Sequence, residues 1–191
     1  LERYLGCRKY SPTVEHVPRK NKITLPRKIN DLQVPVIKSR NMSYTGARDK
    51  AFFEWLRLTH TPTGAADWGR WGLWVHTFGV LVPENVFYES HPEYYTMNEK
   101  GERVPSQLCL TNPEVLEVLC SELEKRINAK PEAIYWSVSQ NDNYNYCKCE
   151  NCMKVMEEEG SPSGLIIRFV NEVASRFPEK IISTLVYQYS R

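Results

Sequence analysis

A short apolar, β-branched run, a polar turn and then a helical pattern recur along this chain, and that alternation restricts it to an α/β fold with a mainly parallel sheet. The runs are VPVIKSR (Val34 to Arg40), GLWVHTF (Gly72 to Phe78), QLCLT (Gln107 to Thr111), AIYWSVS (Ala133 to Ser139) and IISTLVYQYS (Ile181 to Ser190). Helices are expected after them. One lies around Asp49 to Thr59. A second starts at Asn112-Pro113, a capping residue followed by a proline at the first helical position, and keeps Val115, Leu116, Leu119, Leu123 and Ile127 on one face. A third places Ile166, Phe169, Val170, Val173 and Phe177 together. The segment from Leu81 to Ser106 has little regular pattern and reads as a long loop, of the kind that is usually functional or a lid.

Five such strands in 191 residues fall short of an eight-stranded barrel, which needs roughly 250 residues. The expected architecture is therefore about half of a (β/α)8 TIM barrel over residues 34–191, with residues 1–33 as a short leading piece. That leading piece holds a short helix end, LERYLGC, some turn residues and a basic strand-like stretch, KITLP, too little for a core of its own. Leu1-Glu2-Arg3-Tyr4 reads as the middle of a helix, so a piece of a longer protein is expected. A complete five-stranded doubly wound sheet is the alternative, but no glycine-rich phosphate loop follows the first strand.

Composition narrows the partners. With 41% hydrophobic and 25% charged residues the chain is that of an ordinary globular protein. The net charge is only +2, and the basic residues are scattered apart from a modest cluster between Arg19 and Lys28. Neither nucleic acid nor a membrane surface is therefore expected as a partner. No apolar run reaches the roughly 18 residues of a membrane span.

In parallel barrels the chemistry sits where strands end. The first run ends in Arg40 and Asn41, the second carries Trp74 and His76, the fourth ends in Gln140, Asn141 and Asp142, and the fifth carries Tyr187 and Gln188. Alternation places Trp74, His76 and Phe78 on one face of the second strand, with Leu73 and Val75 on the other. On the fourth, Trp136 and Val138 suit the helix side and Ser137 and Ser139 the lumen. Asp142 is the candidate catalytic acid, because partial burial at a strand end can keep a carboxyl protonated. Asn141 beside it would orient a substrate amide or hydroxyl. The bland alternative is an Asn-Asp turn whose side chains bond their own backbone.

Six cysteines are too few for a disulfide scaffold, and Cys7, Cys109 and Cys120 sit beside apolar residues where buried thiols are common. Cys147, Cys149 and Cys152 form C-x-C-x2-C directly after the Asn-Asp pair. Zinc wants four ligands, and no fourth is evident from spacing. A structural zinc with a distant fourth ligand and a disulfide within the loop both stay open. Either one braces the loop that carries Asp142. H-E-x-x-H is absent, so no catalytic zinc and no other cofactor is expected.

The phrases LGCRKYSPTVEHVP, WGLWVHTF, HPEYYTMNEKGER, QLCLTNPEV, YWSVSQND, YCKCENC, SPSGLIIRFVNEVA and ISTLVYQYSR together resemble the bacterial family catalogued as domain of unknown function 4838, over essentially the whole chain. That family is similar to hexosaminidase and α-glucuronidase types of glycoside hydrolase, in which a small α/β domain precedes a (β/α)8 barrel, and the resemblance implies that residues 1–33 are the tail of such a small α/β leading domain. The resemblance implies a secreted or periplasmic glycosidase acting on complex glycans, active in its full-length parent and inactive as this chain alone. It also implies an acid at Asp142 and a sugar-holding arginine at Arg40. Trp74, His76, Gln140, Tyr187 and Gln188 would line the sugar site. Relatives of the hexosaminidase type carry two adjacent acidic residues here, whereas this chain has Asn141 before Asp142, which departs from the substrate-assisted mechanism on N-acetyl sugars. A non-catalytic carbohydrate-binding barrel and a zinc-stabilised interaction module are the alternatives.

Overall fold

The computed structural model describes residues 1–37, 40, 42, 44–59 and 71–190. They form two compact units, Leu1–Trp68 and Gly69–Arg191. In the first, helix α1 (Glu2–Leu5) stops at Gly6, whose φ of 77° a side chain would resist. Strands β1 (Arg8–Lys9) and β2 (Glu15–His16) pair antiparallel. Further on, α2 (Lys50–Trp55) is capped by the Asp49 carboxylate, which accepts from the Phe52 N–H at 2.8 Å. Among the described residues of this unit only Cys7 is buried.

Two expected strands are absent from that unit. KITLP forms none, and Ile23 and Leu25 are exposed. VPVIKSR forms none over its described residues; Val34, Val36 and Ile37 stand 78%, 94% and 69% exposed. Pro26 and Pro35 lack the N–H a ladder needs, and exposed apolar side chains bring no burial to offset the lost chain entropy. Lys38 and Ser39 lie outside the described residues.

The second unit is built on a parallel three-stranded sheet of β3 (Trp71–Leu73), β6 (Tyr135–Ser137) and β7 (Ile181–Ser183), in that spatial order. Chain order and spatial order agree, and each connection is long enough to carry helices, as parallel pairing requires. Trp136 is 1% exposed, and its indole lies on Gly72, where a Cβ would come within 2.2 Å of the ring. Only glycine fits between the two strands there. The sheet does not close into a barrel among the described residues.

Helices α5 (Pro113–Ala129) and α7 (Pro162–Arg176) make the two largest helical contributions to the core. The Asn112 side chain accepts from the Glu114 N–H at 2.9 Å, with Pro113 in the first turn as the sequence predicts. All ten apolar residues expected on the two helix faces are buried. A shorter helix, α6 (Glu150–Glu158), buries Cys152 and Met156.

Four expectations fail in this unit. The second strand ends at Leu73: Trp74 and Val75 are exposed, His76 turns left-handed with φ of 59°, and Phe78 opens helix α3 (Phe78–Leu81). Alternation beyond Leu73 therefore does not apply, because Thr77 and Phe78 donate their N–H groups to Ser139 O instead of a ladder. The third run does not join the parallel sheet. Gln107 and Leu108 end β5 (Arg103–Leu108), which pairs antiparallel with β4 (Tyr95–Met97) across an Asn98 to Glu102 turn. The long "loop" thus holds that hairpin and helix α4 (Glu84–Phe87). The fifth run is strand only over Ile181–Ser183, and its end curls into a 3-10 turn at Gln188–Ser190.

Candidate functional site

Three segments that follow the parallel strands meet at Asp142. Behind it, Thr77 and Ser139 lock the ends of β3 and β6 together: Thr77 Oγ1 donates to Ser137 O (2.9 Å) and accepts from Ser139 N (3.0 Å), and the His76 N–H donates to Ser139 Oγ (2.9 Å). Ser137 and Ser139 are buried and bonded to each other, so the space expected as a lumen is filled by protein. Gln140 is fully buried as well. Its amide donates to Tyr187 O at 3.0 Å and accepts from Ser190 Oγ at 2.8 Å, so it ties the segment after β7 to the end of β6 and presents nothing to a ligand.

Asp142 is exposed, and Tyr187 Oη and Gln188 Nε2 both donate to its Oδ1, the latter at 2.9 Å. The tyrosine hydrogen bond first, then the charge of His76 and the Gln188 amide, hold the Asp142 carboxyl below its ordinary value. The sequence expectation had the opposite sign, a carboxyl kept protonated by burial; here the side chain faces water and its donors favour the anion. The same bond pushes the Tyr187 hydroxyl up to about 12. His76 Nδ1 lies 2.9 Å from Gln140 O, and its ring centroid is 5.8 Å from that of Tyr187. Gln188 Oε1 is buried without a partner. Of the three non-glycine residues with positive φ among the described residues, two are His76 (59°) and Gln188 (56°). Such strain costs roughly 1–3 kcal/mol each and persists where the surroundings impose it.

The other predicted residues belong to the first unit or are occupied within the second. The Asn141 amide is spent within the protein: Oδ1 accepts from Gly79 N and Nδ2 donates to Ser106 O, each at 2.9 Å. Trp74 packs edge-on against Trp71, centroids 4.5 Å apart. Arg40 belongs to the first unit, where its guanidinium donates to Arg57 O and Ile37 O. Asn41 lies outside the described residues.

Two residues that sequence reasoning missed fix this loop. Buried Gln107, at the end of β5, donates to Asn141 O (2.8 Å) and Asn143 Oδ1 (3.0 Å) and accepts from Asn141 N (2.9 Å). Cys109 follows two residues later and completes a group with Cys147, Cys149 and Cys152, whose Sγ atoms all lie within 4.8 Å of one another. It is a buried thiol, as expected, and also the distant fourth member that spacing did not reveal. All four are free thiols. The hydrogen bond with Cys147 holds the Cys109 thiol down at about 6, and bonds from its neighbours lower Cys149, whereas the same network pushes the Cys147 and Cys152 thiols up. Four sulfurs so placed can hold a metal ion.

The molecule is thus an α/β chain with a polar, carboxylate-centred cluster at the C-terminal ends of parallel strands and a four-thiol cluster behind it. Residues 9–191 match the family described as a domain of unknown function, DUF4838, and the chain belongs to it. No curated protein and no solved structure matches the chain.

Proposed function

We propose that this chain is part of a glycoside hydrolase-like protein acting on complex glycans, with Asp142 as its catalytic carboxylate and His76, Tyr187 and Gln188 around the sugar. The observation that carries this is the convergence of two left-handed residues, His76 and Gln188, on one exposed carboxylate where parallel strands end. Ligand sites of α/β sheets favour that edge. The sequential order of the three strands suits a partial (β/α)8 barrel, in which neighbours in sequence are neighbours in space. Localisation outside the cytoplasm, in the periplasm or secreted, goes with the same proposal.

For a general acid the ground state needs one change. A glycosidic oxygen must take the place of Tyr187 as the partner of Asp142, and the sugar must exclude water; each raises the carboxyl. The carboxyl so raised takes a proton from solvent, and that proton passes to the leaving oxygen as the glycosidic bond breaks and water takes the leaving group's place on the sugar. Gln188 Oε1 is buried and unpaired, so a rotation of that side chain as sugar displaces its bond to Asp142 would let it accept from a sugar hydroxyl. Sugar binding without turnover is the second possibility, favoured by the ionised resting state of Asp142. Product release from a broad glycan and glycoside panel by the intact protein, beside its Asp142→Asn form, decides between them. Activity lost in the variant supports the enzyme. Binding by both forms with no product from either leaves a lectin-like barrel.

A further inference from the structure

We propose that Cys109, Cys147, Cys149 and Cys152 bind one structural zinc ion that fixes the β4–β5 hairpin, the 141–149 segment and the start of α6 to one another. Geometry separates this from the competing disulfides. Cys109 Sγ is 3.6 Å from Cys149 Sγ and 3.8 Å from Cys152 Sγ. A tetrahedron of sulfurs about 2.3 Å from a central zinc has edges of about 3.8 Å. A disulfide brings its sulfurs to about 2.05 Å. An iron–sulfur cluster spreads its thiolates over several irons and needs a wider cage than these sulfurs leave.

The surroundings are those of thiolates. The Met97 N–H points at Cys147 Sγ from 3.4 Å and Arg103 Nη1 from 3.8 Å. Thr111 Oγ1 lies 3.2 Å from Cys152 Sγ. Cys149 is the N-cap of α6 and Cys152 sits in its first turn, where the helix end favours negative charge. Binding releases the thiol protons to solvent and leaves a doubly negative centre, which the Arg103 guanidinium and these donors offset. Cys149 is only part-buried and lines, with Cys109 and Arg103, a cleft of about 650 Å³ through which an ion can enter. The ligands come from two places far apart in sequence, Cys109 at the hairpin's exit and the C-x-C-x2-C beyond Asp142. The ion therefore closes a loop of some forty residues through one point, constraining the unfolded chain as a cross-link does.

The test needs no glycoside, so it stands or falls apart from the proposed sugar chemistry. The intact protein, purified without added metal, is assayed for metal by mass spectrometry. About one zinc per chain is expected, falling at least tenfold in Cys109→Ser and staying unchanged in Cys120→Ala, whose buried thiol lies outside the group. Should Cys109→Ser not fold, cobalt exchanged into the unaltered protein serves instead: thiolate-to-cobalt charge transfer with tetrahedral ligand-field bands is expected. Disulfide-linked peptides joining these cysteines in metal-free protein would overturn the proposal. So would full zinc content in a folded Cys109→Ser, or an octahedral cobalt spectrum.

Discussion

The segment from Gln140 to Cys152 has two ends of opposite character. At Asp142 the side chain is exposed, and its partners Tyr187 and Gln188 come from the last segment of the chain. At Cys147 and Cys152 the side chains are buried, and their partners come from the hairpin through Cys109. Between them Asn141 and Gln107 tie the backbone down through amide bonds. A site that must exchange one partner for another needs donors that water or a ligand can replace, whereas the frame that aims it needs contacts that water cannot reach.

The largest effect should come from Asp142→Asn, which tests the working end alone. Turnover of a glycoside is expected to fall roughly 100-fold or more, the scale of a lost general acid or base. Urea midpoint should hardly move, because the carboxylate is exposed and the Asn amide oxygen can still accept from Tyr187 and Gln188. A variant with normal turnover but reduced stability would reverse the roles assigned to the two ends.

Next comes the joint. Gln107→Ala removes two donated bonds and one accepted bond from a side chain that is 1% exposed, and leaves the Asn141 backbone groups without their partners. A loss of about 1–3 kcal/mol is expected from denaturant unfolding. If the two ends are mechanically linked, turnover falls with it through misplacement of Asp142, with kcat more affected than KM. Unchanged stability would mean the amide network is incidental.

Gly72→Ala probes the sheet beneath both ends. The added Cβ would collide with the Trp136 ring, and overpacking of this kind costs about 1–3 kcal/mol. Thermal unfolding of the purified variant measures it. A shift of Trp136 large enough to absorb the methyl at no cost would show that the sheet is looser than its burial implies.

How much of this was legible depended on whether the signal was local. The helices α5 and α7 followed from Asn112-Pro113 and from apolar residues at helical spacing, since capping and amphipathic burial are properties of a few neighbouring residues. Strand partners are not local. QLCLT and VPVIKSR carry the same apolar, β-branched character as the true sheet strands, but one went to a hairpin and the other leaves Val34, Val36 and Ile37 exposed, because pairing is decided by what lies across the ladder. Of the candidate site, Asp142, His76, Tyr187 and Gln188 were found by looking just past apolar runs, and they do converge. Gln140 and Asn141 stand beside them but are consumed as framework. Nothing in the sequence separates a glutamine that holds a loop from one that holds a sugar. Cys109 was hidden for a similar reason: spacing rules see the C-x-C-x2-C triplet, and only the path of the hairpin brings in the fourth thiol.

The smallest change is the most discriminating about mechanism. Tyr187→Phe deletes one hydroxyl and with it the leading cause of the lowered Asp142 value, so the carboxyl should titrate higher, toward the ordinary carboxylate range, in a carbon-detected NMR titration. The sign carries through to stability. A carboxyl depressed in the folded state stabilises above its unfolded value and loses that contribution as pH falls through the folded one, so the variant's acid unfolding should begin at slightly higher pH. It carries through to rate as well, in a way that depends on the role of Asp142. If it acts as the acid, a higher value extends activity toward alkaline pH and moves the basic limb up. If it acts ionised, as base, nucleophile or hydrogen-bond acceptor for a bound sugar, the acidic limb moves up and activity at low pH is lost. An unmoved Asp142 titration in Tyr187→Phe would mean that the tyrosine does not hold the carboxylate at all, and the contrast between an exchangeable end and a fixed end would have to rest on Gln188 and His76.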